Sequence, residues 1–79
     1  MIENTVMLNT PTDIKGFVAL MEKVDGDVLV YSDKYVINGK SIVGLLSLDL
    51  TLPIKVKFEI DGKIPEDVKT GMIKYLYNN

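Results

Sequence analysis

Apolar and polar positions along this 79-residue chain follow two different periods, and together these periods predict both helices and strands. Two groups of apolar residues recur at helical spacing: Ile14, Phe17, Val18 and Met21, and later Val68, Met72, Tyr75 and Leu76. A third group, Ile54, Val56, Phe58 and Ile60, alternates with charged side chains. The first two groups predict amphipathic helices, and the third predicts a strand with one buried face and one wet face.

Three more strands are predicted. Val6-Met7-Leu8 is the predicted end of a first strand that begins near Ile2. Residues 28–31 and 35–37 are rich in β-branched and aromatic residues and predict the other two strands. Ser32, Asp33 and Lys34 form a predicted hairpin loop between the last two runs, and Asn38-Gly39 marks a second turn.

Capping residues mark where the predicted helices begin and end. Thr10 is suited to cap the first helix, with Pro11 at its first position and Asp13 in its first turn, and residues 25–27 close it with a glycine. Ser41 is predicted to cap a short helix from Ile42 to about residue 49. Residues 65–67, a proline and two acids, start the last helix, whose interior Gly71 is unfavourable.

The resulting order is β-α-β-β-α-β-α in a single domain covering residues 1–79. It predicts an α+β fold in which a four-stranded antiparallel sheet keeps one face wet and packs helices on the other, an open-faced β-sandwich.

Composition excludes several kinds of function. The chain has no cysteine and no histidine, so we expect no disulfide, no metal site, no cofactor and no catalytic triad, and we expect it not to be an enzyme. The net charge is −2 and all nine basic residues are lysines, which disfavours direct nucleic-acid binding. No apolar run is long enough to span a membrane, and the N-terminus lacks the order of a signal peptide, so we expect a cytoplasmic protein with no membrane partner.

The segment from Gly39 to Leu50 resembles the second-helix signature of HPr, the phosphocarrier of the bacterial sugar phosphotransferase system. The similar residues are Lys40-Ser41-Ile42-x-Gly44 and Ser47-Leu48, with Phe17-Val18 as an apolar pair like that of the family's first helix. The similarity extends over most of the chain. It implies the HPr-like fold, which is the element order already predicted from periodicity.

The resemblance fails at the family's phosphorylation site. Counting back from Phe17-Val18, Thr10 falls at the position of the family's active histidine, Thr12 at that of its arginine and Asp13 at that of its proline. The loop before the first helix is also shorter than in the family. A threonine phosphate is a stable ester, unlike the labile N–P bond of phosphohistidine. The chain is therefore interpreted as a degenerate relative that is not competent as a histidine phosphocarrier.

The resemblance also implies a regulatory residue and a docking surface. Ser41 resembles the serine that an ATP-dependent kinase modifies in HPr, although a plain helix cap would also explain it. Ile42, Val43 and Leu46 match the family's exposed docking patch. We expect Leu45, Leu48 and Leu50 to face the core. Deeper burial of the patch, or self-association through it, stays open.

These observations favour a non-catalytic regulatory protein that binds a protein partner through the Ser41 helix. The catabolite-repression relative of HPr is the nearest analogy, since it lacks the active histidine, keeps the serine and acts as a corepressor. Two alternatives stay open. One is a phosphoacceptor that uses Thr10 or Asp13, because aspartate can form a labile acyl phosphate. The other is a domain that only forms homodimers.

Overall fold

The computed structural model describes residues 2–33 and 35–77, and for Ile2 it describes the backbone alone. The order of elements is the predicted one. The strands are β1 (Ile2–Val6), β2 (Asp27–Tyr31), β3 (Val36–Asn38) and β4 (Ile54–Glu59), and the helices are α1 (Pro11–Met21), α2 (Ile42–Leu46) and α3 (Glu66–Met72). A 3₁₀ turn, Ile73–Tyr75, follows α3. Lys34 of the predicted hairpin loop lies outside the described residues.

The four strands form one antiparallel sheet in the order β1-β4-β2-β3. Val56 at the centre of β4 is fully buried and pairs with Val30 on one side and Asn4 on the other. Lys55 and Lys57 alternate with the buried residues of β4, so their side chains point to the opposite, wet face. The predicted α+β architecture, an open-faced sheet with helices on one side, is confirmed.

The helices cover the other face of the sheet. Helix α1 packs on it through the predicted apolar stripe. Ile14, Phe17, Val18 and Met21 are all buried. The ring of Phe17 meets that of Tyr75 edge to face, with 6.2 Å between ring centroids, which connects α1 to the C-terminal segment. Gly26 has a φ of 134°, a conformation that suits glycine, and it reverses the chain between α1 and β2.

Several predicted boundaries differ from the structure. The first strand ends at Val6, before the buried Leu8, and the third strand starts at Val36, so Tyr35 lies in the preceding loop. The second helix ends at Leu46 instead of about Asp49. Asp49 accepts hydrogen bonds from both the backbone N–H and the hydroxyl of Thr51, and this local turn competes with continued helix.

The prediction that Leu76 is part of the buried helical stripe was wrong, since 40% of this residue is exposed. The last helix tightens into a 3₁₀ turn after Met72, and Leu76 itself has extended backbone angles. Leu76 forms a β-bridge with Val6, and the N–H of Met7 donates to the carbonyl of Tyr75. The C-terminal segment therefore covers part of the outer edge of β1.

Candidate functional site

The start of α1 is capped by its own polar side chains. Thr10 is extended, with φ −139° and ψ 160°, and its hydroxyl accepts a hydrogen bond from the N–H of Asp13 at 3.1 Å. The carboxylate of Asp13 in turn accepts a hydrogen bond from the N–H of Asn9 at 2.9 Å. This reciprocal arrangement resembles a capping box, and Pro11 at the first helical position completes the predicted start signal.

These contacts limit what the α1 N-terminus can do chemically. A free helix start offers unpaired N–H groups to an anion, but here Pro11 has no N–H and that of Asp13 is taken by Thr10. The Asp13 carboxylate already places negative charge beside the helix dipole. No imidazole exists in the chain, and Thr12 offers no guanidinium. The structure thus places Thr10, Thr12 and Asp13 together at one helix start, but in a self-capped arrangement.

The start of α2 has a similar cap built from Ser41. The Ser41 hydroxyl accepts a hydrogen bond from the N–H of Gly44 at 3.1 Å, as the sequence predicts. Asn38 forms the preceding turn by accepting from the N–H of Lys40. A Cβ at position 44 would lie 2.7 Å from Ile37, so the glycine allows α2 to pack closely on β3.

Ser41 and Thr10 lie towards opposite ends of α1. The ammonium group of Lys40 donates to the carbonyl of Val24, beyond the C-terminal end of α1, at 2.8 Å. Thr10 caps the other end of this 11-residue helix, and a helix of that length spans about 16 Å. The two candidate phosphorylation positions therefore do not form one site.

The apolar residues of α2 divide between core and surface as predicted. Leu45 is fully buried, and Leu48 and Leu50 after the helix are partly buried against the core. Ile42, Val43 and Leu46 are 39%, 81% and 47% exposed. We call Ser41, Ile42, Val43 and Leu46 the α2 surface. It combines exposed apolar side chains with a capping hydroxyl at its edge, a combination suited to binding a protein.

A groove of about 360 Å³ adjoins the C-terminal end of α2, and sequence reasoning did not find it. It lies between the β2–β3 loop and the α2–β4 loop. Tyr35 and Leu52, which are 62% and 48% exposed, line it together with Pro53 and with the carboxylates Asp33 and Asp49. The sequence offered one signal, which is the excess of apolar residues between positions 42 and 54. The groove depends on α2 ending at Leu46 and on Tyr35 lying outside β3.

One carboxylate of this groove has a shifted pKa. The hydrogen bond from the Thr51 hydroxyl, and a second from the Thr51 backbone N–H, lower the pKa of Asp49 below its ordinary value. Both bonds go to the same carboxylate oxygen, Oδ1, at 2.6 and 2.9 Å. Asp49 is therefore held as an anion at the rim of the groove.

Among the residues that the structure describes, no group of three or more His, Cys, Asp or Glu side chains is placed to hold a metal ion. Within the same residues, no helix has the length and apolar character needed to cross a membrane.

Comparison with known proteins yields structural relatives only. No protein-family model matches the chain, and no curated protein matches it. The crystal structure of HPr-C-His from Thermoanaerobacter tengcongensis is 22% identical, with a TM-score of 0.70 over 94% of this chain and 89% of that chain. The phosphocarrier protein HPr from Bacillus anthracis str. Ames is 19% identical, with a TM-score of 0.55 over 96% of both chains.

These likenesses define the class of fold. The chain is an α+β open-faced sandwich, and its particular topology is that of the HPr phosphocarriers over nearly its full length. The resemblance stated from the second-helix residues is therefore confirmed as an HPr-like fold.

Proposed function

We propose that this protein is a non-catalytic, HPr-like regulatory or scaffold protein of the bacterial sugar phosphotransferase system. It binds a protein partner through the α2 surface and works in the bacterial cytoplasm. The observation that carries the proposal is the exposure of Ile42, Val43 and Leu46 on a helix that also buries Leu45 completely. The fold of the HPr phosphocarriers supports it.

The start of α1 argues against a carrier role. A carrier must hold a reactive phosphoryl group and release it to the next protein. Thr10 could form only a stable ester, and the carboxylate of Asp13 would repel a dianion placed at the same helix start. Because the chain has no histidine, the protein keeps the carrier's scaffold without the group that performs the transfer.

The α2 surface has the features of a small docking site. The 81% exposed Val43 stands between two other apolar side chains of one short helix. Burying such side chains against a partner is favourable by about 25 cal/mol for each Å² removed from water. Leu45 of the same helix is fully buried and anchors α2 in the core.

Ser41 supplies a means of regulation in this proposal. Its hydroxyl lies at the first turn of α2, where a phosphate would add negative charge beside the apolar side chains. Such a charge disfavours a purely apolar partner and favours one that carries a lysine or arginine. Incubation with an HPr kinase and ATP should label the protein, and Ser41→Ala should prevent the labelling. Absence of label under conditions that label HPr itself would contradict the proposed regulation through Ser41.

Matched surface variants test the binding role. The wild-type protein, Leu46→Asp and Ile73→Asp should each be used to capture partners from the source organism. Ile73 is 64% exposed, which makes it a control for a charge placed on exposed apolar surface away from α2. We expect Leu46→Asp to lose a specific partner that the other two proteins retain. Equal capture by all three proteins would contradict the proposal.

The alternatives give different results in direct assays. If Thr10 or Asp13 accepts phosphate, enzyme I and labelled phosphoenolpyruvate will label the chain, and Thr10→Ala or Asp13→Asn will abolish the label. If the α2 surface serves only self-association, sedimentation at two concentrations will show a dimer that Leu46→Asp dissociates. Our proposal expects neither a phosphoenolpyruvate-dependent label nor a dimer.

A further inference from the structure

The groove beside α2 has apolar walls and a rim that carries negative charge. Tyr35, Leu52 and Pro53 contribute apolar surface, and Asp33 and Asp49 contribute a carboxylate from each of the two loops. No lysine lines the groove among the described residues, and the chain has no arginine at all. No cation of the described lining balances the negative charge at this rim, and Lys55 lies with Asp33 in the adjoining groove instead.

The rim and the walls suit one type of ligand group. A long basic side chain has an apolar stem and a charged head, so it can lie along Leu52 and Pro53 while its head reaches the carboxylates. A guanidinium group can also stack on an aromatic ring, and the ring of Tyr35 is largely exposed at the groove. The Thr51 hydrogen bonds hold Asp49 in place and keep it ionised.

We propose that this groove binds a basic side chain, preferably arginine, of the protein partner that docks on the α2 surface. The inference rests on the proposed function, and it adds the chemistry of the partner. The groove adjoins the docking residues directly, because Ser47 lines the groove and follows Leu46 in the chain. The partner segment therefore presents apolar residues to α2 and a basic residue next to them.

A peptide pair with and without the charge tests the groove itself. The probe is Ac-Leu-Arg-NH₂, titrated to 10 mM into the ¹⁵N-labelled protein, and the control is the same peptide with citrulline, the neutral isostere of arginine. We expect amide shifts centred on Asp33, Ser47, Asp49 and Leu52. The citrulline peptide should bind roughly fivefold more weakly, as expected for loss of an ion pair near the surface.

Charge variants localise the effect. Asp49→Asn removes the charge but keeps an oxygen that accepts the hydrogen bonds from Thr51. Asp33→Asn removes the charge that the β2–β3 loop contributes to the rim. Each of these two substitutions should lower the affinity for the arginine peptide about threefold. Glu59→Gln, on an exposed position of β4, should leave that affinity unchanged. Lys34→Ala, next to Asp33 in the sequence, should leave the affinity unchanged or raise it.

Failure of this inference can be separated from failure of the proposed function. Equal affinity for the arginine and citrulline peptides, shifts located elsewhere, or no shift at 10 mM would overturn the inference. Weaker binding by Lys34→Ala would also contradict it. None of these results depends on the α2 surface, because the peptide titration needs no natural partner. Equal partner capture by wild type and Leu46→Asp would contradict the proposed function even if the peptide binds.

Discussion

The carboxylate of Asp13 accepts a hydrogen bond from the backbone N–H of Asn9, with 2.9 Å between Oδ2 and N. This bond places an anion of the protein itself at the start of α1, beside Thr10, the position that the sequence resemblance matches to the HPr family's active histidine. An external phosphate would have to displace that carboxylate or sit beside it. Under the proposed function, a histidine at position 10 should therefore not by itself make the protein a phosphocarrier.

The first prediction concerns a histidine at position 10. Thr10→His supplies an imidazole, but Asp13 repels a phosphoryl dianion and Thr12 provides no guanidinium to bind it. We expect enzyme I and labelled phosphoenolpyruvate to phosphorylate the triple variant Thr10→His/Thr12→Arg/Asp13→Asn at least about tenfold faster than Thr10→His alone, which corresponds to about 1.4 kcal/mol in the barrier. Equal rates would show that the helix start does not oppose phosphorylation.

The second prediction separates the docking surface from the core within α2. Val43→Asp changes a side chain that is 81% exposed, so the free energy of unfolding should stay within about 0.5 kcal/mol of wild type. Leu45→Ala removes a fully buried side chain and should lower the free energy of unfolding by about 2–5 kcal/mol. Urea denaturation of both variants measures the difference. A large loss of stability in Val43→Asp would mean that this side chain packs against the rest of the protein.

Much of the fold could be predicted because local signals and packing agree. Thr10 and Ser41 each precede a helix and cap it with their hydroxyls, and the alternation of Ile54, Val56 and Phe58 on β4 is the alternation of its buried positions. The order of the strands within the sheet, β1-β4-β2-β3, was not predicted. Periodicity says which face of a strand is buried but not which strand lies next to it.

The failures lie where backbone geometry changes between elements. Leu76 has the correct spacing for a helical stripe, but the 3₁₀ turn before it changes the rise and rotation per residue. Tyr35 is aromatic and adjoins a β-branched run, so it resembled a strand residue. The groove that Tyr35 helps to form is a product of two loop conformations, and an apolar pattern does not encode how two loops lie relative to each other.

Gly71 is unfavourable for a helix interior, and the structure gives a packing reason for it. A Cβ at this position would come within 2.6 and 2.9 Å of the two terminal methyl groups of Leu20 on α1. The glycine therefore lets α1 and α3 approach each other closely. The intrinsic cost of glycine here is about 1 kcal/mol relative to alanine.

The third prediction follows from that contact. Gly71→Ala should gain helix propensity but push against Leu20, whereas in a Leu20→Ala background the new methyl group has space. We expect the change in the free energy of unfolding caused by Gly71→Ala to be more favourable in the Leu20→Ala background than in the wild type, by about 1 kcal/mol or more. A double-mutant cycle with urea denaturation measures this difference. Gly62→Ala is a poor control because its φ of 98° introduces backbone strain. Additive effects of the two substitutions would show that the side chains do not meet.

The fourth prediction concerns acid sensitivity and the ion pair between Lys23, two residues after the end of α1, and Asp67 in α3. The ammonium group of Lys23 lies 3.1 Å from the carboxylate of Asp67, and this hydrogen bond is the main cause that lowers the pKa of Asp67 below its ordinary value. A carboxyl group whose pKa is lower in the folded state stabilises the protein above its unfolded-state pKa, about 3.9. That contribution is lost as the pH falls through the lowered folded-state pKa.

Asp67→Asn should therefore reduce the free energy of unfolding slightly at pH 7 and not at pH 2, so that the stability curves of the two proteins converge in acid. The effect should also shrink in 1 M salt, because both side chains are more than half exposed and their attraction is screened. Urea denaturation from pH 2 to pH 7 measures it, and Glu66→Gln, whose carboxylate is 3.7 Å from Lys69 within α3, is the matched control. A constant difference between wild type and Asp67→Asn at every pH would show that the pKa of Asp67 is the same in the folded and unfolded protein.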